Sequence, residues 1–140
     1  MLWNRDSGGV NRASVCRGMQ SFERLRVWHL ARQLANAAYD ATDDFPDAEL
    51  FGLTAQLRRA AVSIAANVAE GASRFTSRDF ARFIEIAIGS ANEVHCLALI
   101  ATDRGYLAIE VSSDLIARVR QLRAQLVRLR QRVRPRDRKP

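Results

Sequence analysis

The chain has 140 residues, 48% of them hydrophobic, and a formal net charge of +7. That length supports one domain with a real core. No apolar run reaches the ~18 residues that a membrane-crossing helix needs, and the first twenty residues hold no apolar stretch of the signal-peptide kind, so a cytoplasmic protein with no membrane partner is expected.

The charge is unevenly spread. Residues 1–20 hold three Arg against one Asp, and residues 21–110 hold nine Arg against twelve Asp or Glu. Residues 111–140 hold nine Arg and one Lys against two Asp. A mildly acidic body therefore ends in a basic segment, a candidate contact for a polyanion. The two cysteines, Cys16 and Cys96, give neither a disulfide framework nor a metal spacing. Cys96 stands in an apolar run and is expected as a small core residue.

Residues 1–20 mix Gly, Ser, Asn and Arg and read as a flexible N-terminal arm. Residues 21–133 read as four helices. Helix one is expected from about Phe22 to Asp43, with Val27, Leu30, Leu34, Ala38 and Ala41 at helical spacing and Ser21 as N-cap. Pro46, in "DDFPD", separates it from helix two.

Helix two is expected from about Asp47 to Glu70, with Gly71 as its C-terminal stop. Ala60, Ala61, Ile64 and Val68 share one face, while Val62, Ala65, Ala66 and Ala69 cover much of the rest. Gln56, Arg59, Ser63, Asn67, Glu70 and Arg74 leave only a narrow polar stripe. A helix apolar nearly all round is buried nearly all round, so this one needs more than one packing partner.

Thr76 and Asp79 form a capping-box-like start for helix three. Phe80, Phe83, Ile84, Ala87, Ala91, Val94 and Leu97 give that helix a broad apolar face, and Gly105 is expected to stop it. In helix four, Leu115, Val119, Leu122, Leu126, Leu129 and Val133 make a heptad seam. Pro135 ends it, and residues 134–140 form a basic tail. Four helices of similar length joined by short loops predict an all-α, antiparallel up-down-up-down four-helix bundle.

The segments "SFERLRVWHLARQL", "FP..ELFGL..QLRRAAVSIAANVAEG", "F.RFIEIAIGSANEV" and "GYL", in this order, resemble the bacterial four-helix-bundle proteins of the 23S rRNA intervening-sequence type. That family is similar in turn to the accessory protein of diversity-generating retroelements. The helix-two block is the most specific part. The family often carries a proline in its middle, where this chain has Ala65, a departure that should leave the helix straighter.

The resemblance implies a ring-like homo-oligomer of five protomers and no known chemistry. Some members are encoded within ribosomal RNA insertions, and the retroelement relative acts with a reverse transcriptase and binds nucleic acid. In such a ring, helix two would bury one face in its own bundle and an Ala-rich face against a neighbour. Ser63, Asn67, Glu70 and Gly71 are then the candidates for a polar seam or subunit boundary. Buried polar groups need partners and fix register, and replacing Glu70 by Ala is expected to loosen the assembly. The alternative is that the stripe faces solvent.

An enzyme needs convergent groups in a pocket, and the sequence offers few. His29 and His95 are the only histidines. His95 and Cys96, as helix neighbours, diverge. No metal-binding spacing is present, Glu85 and Glu93 lack the histidine of a di-iron motif, and no phosphate loop occurs. Gly89 and Ser90 are explained by close helix packing. No catalytic residue, metal or cofactor is therefore expected.

The basic end is the strongest chemical signal. Arg118, Arg120, Arg123, Arg128, Arg130, Arg132 and Arg134 all lie outside the heptad seam, so they can reach phosphates while the seam stays packed. No aromatic residue interleaves them, so contacts to the nucleic-acid backbone are expected rather than base stacking. Two functions follow: a non-enzymatic RNA- or DNA-associated adaptor, or an oligomeric scaffold for a protein partner whose arginines serve only solubility.

Overall fold

Helix α1 spans Arg26–Thr42, α2 Leu53–Ala72, α3 Ser77–Asp103 and α4 Ile109–Val133. They belong to a computed structural model that describes residues 21–133. The expected N-terminal arm (1–20) and basic tail (134–140), Arg134 among the latter, lie outside the described residues. Within the described residues all regular structure is helical, and each helix packs on its chain neighbours while α4 closes the square against α1. The result is the expected antiparallel four-helix bundle.

Local chemistry sets the boundaries. Helix α1 begins later than expected. Phe22–Arg24 form a separate 3-10 turn, and Ser21 makes no side-chain cap. Leu25 is extended (φ −86°, ψ 123°), which turns its side chain into the core at 2% exposure. Phe22 then packs on the edge of Trp28, with ring centroids 4.7 Å apart. Helix α2 is also preceded by a 3-10 turn, Asp47–Glu49. The Glu49 carboxylate accepts from the Leu53 amide at 2.9 Å, supplying an acceptor to the free N-terminal donors of α2. At α3, Thr76 Oγ1 accepts from the Asp79 amide at 3.1 Å, the predicted cap. Gly105 ends α3 at φ +75°. Its amide bonds to Thr102 O and that of Tyr106 to Ala101 O, a pattern that satisfies the last carbonyls and favours glycine.

The core is built from small residues on α2 and α3 and large ones on α4. Ala60, Ala61, Ile64 and Val68 of α2 and Ala87, Ala91 and Val94 of α3 are buried in it, as are all six positions of the heptad seam. On α1 the buried set is Val27, Ala31, Leu34, Ala38 and Thr42, so the expected Leu30 and Ala41 flank the core, half-buried. The most apolar part of α3 has a mean hydropathy of 1.4, long and apolar enough for a membrane span by composition. Here that helix lies between α2 and α4, with Ala87, Ala91 and Val94 fully buried.

Polar ties join successive helices. Thr42 Oγ1 donates to Ala38 O and accepts from Arg58 Nε, each at 2.8 Å, linking α1 to α2. Ser63 and Ser90 hydroxyls meet at 3.0 Å between α2 and α3. Thr102 and Ser112 hydroxyls meet at 2.7 Å between α3 and α4.

Gly71 is not a helix stop. It lies inside α2 and is buried, and the helix runs on to Ala72 with Ser73 as C-cap. A Cβ here would stand 2.8 Å from Phe83 Cβ and 2.9 Å from Phe80 Cδ2. Glycine lets α3 approach α2 where the two aromatic side chains begin. Gly71→Ala should gain about 1 kcal/mol of helix propensity and lose about 1–3 kcal/mol to overpacking. Because Phe83 Cβ cannot swing aside, a net fall in melting temperature is expected in thermal unfolding.

Candidate nucleic-acid interface

The heptad seam fixes which side of α4 faces outward. Once Leu115, Val119, Leu122, Leu126 and Leu129 are buried, helical geometry turns residues 120, 124, 127, 128 and 131 away from the core. Together with Arg123 they line a shallow, open groove along the outer surface of this one helix: Arg120, Arg123, Ala124, Val127, Arg128 and Gln131.

Charge partners divide the predicted arginines into two sets. Arg118 Nε donates to Asp114 Oδ2 at 2.8 Å, one turn away on the same helix. Arg130 Nε donates to Glu85 Oε1 at 2.7 Å, tying α4 to α3. Both are at least one-third exposed, so each pair contributes little to stability. Among the described residues, Arg120, Arg123, Arg128 and Arg132 form no ion pair. Their five donors each remain available for a phosphate.

The predicted polar stripe splits as well. Asn67 Nδ2 donates to Ser63 O at 2.8 Å and reaches Ser63 Oγ at 3.0 Å, and Ser63 meets Ser90 across the α2–α3 contact. This half-buried seam lies within one protomer. Glu70 is exposed and pairs with Arg74, whose guanidinium lies over Phe83. Gly71 is buried against Phe80 and Phe83 of its own bundle.

Two other expectations change. Cys96 is exposed, not core. Gly89 is exposed and an added Cβ would meet nothing within 4 Å, so close packing accounts for Ser90 alone. His29 is half-buried, with Nε2 2.7 Å from Glu23 O. Sequence reasoning also missed the exposed aromatics Phe51 (92%) and Phe75 (77%). For Phe75 the signal was available, since it stands in the expected loop between helices two and three; Phe51 fell inside the expected span of helix two, which in the structure begins only at Leu53.

The apolar surplus of α2 is visible on the surface. Val62 is 41% exposed and Ala66 is exposed beside it along the helix. On α3, Ile86, Gly89, Cys96 and Ile100 follow one outward face.

The sequence of residues 23–128 matches the family described as 23S rRNA-intervening sequence protein. The chain belongs to that family. Among solved structures it is similar to a protein of unknown function from the S23 ribosomal protein family of Bacteroides thetaiotaomicron VPI-5482, at 19% identity and a TM-score of 0.68. The similarity covers 75% of this chain and 98% of that one, and at this identity it speaks for the bundle fold alone. No curated protein sequence is similar enough to count as a match.

Proposed function

We propose that this 23S rRNA-intervening sequence family protein is a non-enzymatic, cytoplasmic, ring-like homo-oligomer, a pentamer, that associates with RNA or DNA through the arginine face of α4. The observation that carries the reading is the set Arg120, Arg123 and Arg128, outward-facing and without carboxylate partners around one groove. Guanidinium groups on a helix bind phosphates in forks, and affinity grows with the number of phosphates neutralised. No aromatic residue lines the groove, so backbone and shape contacts dominate and sequence preference is weak.

The family name links its relatives to 23S rRNA, which supports RNA as the first ligand to try. The test is fluorescence anisotropy of the purified protein with a labelled structured RNA and a matched DNA duplex across a salt series. Tight binding near physiological salt that distinguishes RNA from DNA is expected. Weak, ligand-blind binding that disappears with added salt would leave the arginines as a solvated face.

Exposed Val62, Ala66, Ile86 and Ile100 favour a second reading, a scaffold for a protein partner. In the ring, the same α2–α3 face meets the neighbouring protomer. Val62→Glu with Ile86→Glu is then expected to reduce the sedimenting mass to that of the protomer without lowering helicity. In a Cys16→Ser background, the same variant should expose Cys96 to faster thiol labelling. Unchanged mass and unchanged labelling would remove this face from the assembly.

A further inference from the structure

The antiparallel topology sorts charge by end. At one end α1 and α3 finish and α2 and α4 begin, and the Phe45 and Tyr106 rings, 5.5 Å apart, join the two loops there. Phe51 stands out from this end at 92% exposure, with Ile109 at 72%. Around them are exposed carboxylates. Asp44, Asp47, Asp103 and Glu110 form no ion pair among the described residues. Of its basic groups, Arg58 pairs with Asp43 and Arg118 with Asp114, while Arg104 lies over Tyr106 and Arg59 is exposed without an ion pair among the described residues, so the carboxylates outnumber the unpaired arginines.

The opposite end has the same design with the sign reversed. Phe75, 77% exposed, stands in the α2–α3 loop. Arg24, Arg26, Arg78 and Arg132 are exposed there without an ion pair among the described residues, against one such carboxylate, Glu23.

We propose that copies of this protein associate end to end, head to tail, the Phe51 end of one seated on the Phe75 end of the next. The occupant of the acidic end is thus a second copy of this chain, chosen by charge complementarity: the bundle carries both halves of the contact. An exposed phenylalanine in a charged frame is an anchor with a polar rim. Opposite frames on opposite ends favour head-to-tail contact and penalise either end meeting itself.

The chain cannot satisfy the contact alone, because α2 holds its two ends about 30 Å apart. The contact is heterologous, so it propagates instead of closing. One bundle end is about 20 Å across, four helices each about 10 Å thick, which buries well under the ~800 Å² per partner of a standard interface. A single joint is therefore weak and salt-sensitive, and side-by-side copies strengthen it through multivalency. The proposal does not depend on nucleic-acid binding.

The experiment is sedimentation of the full chain, free of nucleic acid, from low to high micromolar concentration at low and high salt. Wild-type mass should rise with concentration and fall with salt. Two double variants separate the ends: Phe51→Ser with Asp47→Arg, and Phe75→Ser with Arg78→Glu. All four positions are exposed, so circular dichroism and melting should be unchanged. Each variant alone should stay at its starting unit. Their equimolar mixture should form one joint and stop at twice that mass, because one good end of each kind remains. A wild-type mass independent of concentration overturns the proposal. So does self-association by the Phe75 and Arg78 variant alone, which would mean Phe51 ends meeting each other, and so does a mixture that fails to join.

Discussion

Ile64→Ala is expected to destabilise the bundle by about 3–5 kcal/mol, the upper part of the range for such truncations. Ile64 has no exposed surface, and the core of α2 around it is Ala60, Ala61 and Val68. The buried residues of α3 include small ones, Ala87 and Ala91, beside Ile84 and Val94. Alanine has no rotamers with which to fill a void, and the Ser63–Ser90 and Gly71–Phe83 contacts hold the two helices at a fixed separation. The cavity therefore stays open, and its lining loses dispersion contacts as well as the transfer energy of the removed carbons. For roughly 110 ordered residues, unfolding entropy of about 2.1 cal/mol/K per residue converts this to a fall of about 13–22 °C in melting temperature. Thermal unfolding followed at 222 nm measures it. A fall of only a few degrees would mean that α2 and α3 close the gap, which the aromatic contacts at Gly71 argue against.

The same small-residue packing explains what could and could not be read from the chain. The α4 seam was fully legible, because six large aliphatic residues at heptad spacing admit one phase only. Thr76 and Gly105 were legible because a hydroxyl three residues before an amide and a positive φ are local requirements. Gly71 was not. As a residue it serves equally as a stop or as a point of close approach, and only the position of Phe80 and Phe83 on another helix decides between them. Leu25 illustrates the same limit: its extended backbone answers to a core that local propensity does not see.

Cys96 was misplaced by counting apolar neighbours instead of following the face. Glu93, Cys96 and Ile100 are at helical spacing, and Glu93 already marked that face as outward. The candidate site was legible as composition but not as geometry. Every arginine off the seam looked alike in sequence. The distinction between Arg118 and Arg130, which are paired, and Arg120, Arg123 and Arg128, which are not, rests on where Asp114 and Glu85 fall.

That distinction yields the sharpest prediction about function. Replacing Arg120, Arg123 and Arg128 together by Gln should lower the affinity for duplex RNA on the order of 10²-fold at about 0.15 M salt. The estimate follows from counterion release. Three phosphates left unneutralised reduce the slope of log K against log salt by about 2.7, and the loss grows as salt falls. The fold should be indifferent, since the three side chains face outward from a buried seam and surface changes of this kind move stability by about 0.5 kcal/mol or less. Arg118→Gln with Arg130→Gln is the matching control. Those charges are already met by Asp114 and Glu85, so a phosphate must compete with a carboxylate for each, and freeing the carboxylate adds repulsion of its own. The control should therefore cost less affinity per arginine than the groove triple, with a smaller change of slope, and lose at most about 1 kcal/mol of stability per pair. Anisotropy titrations of both variants at three salt concentrations decide the matter. If the two slopes change in proportion to the number of arginines removed, the groove has no special role and the basic end acts as a diffuse field. If only the triple flattens the slope, the phosphates lie over Ala124 and Val127.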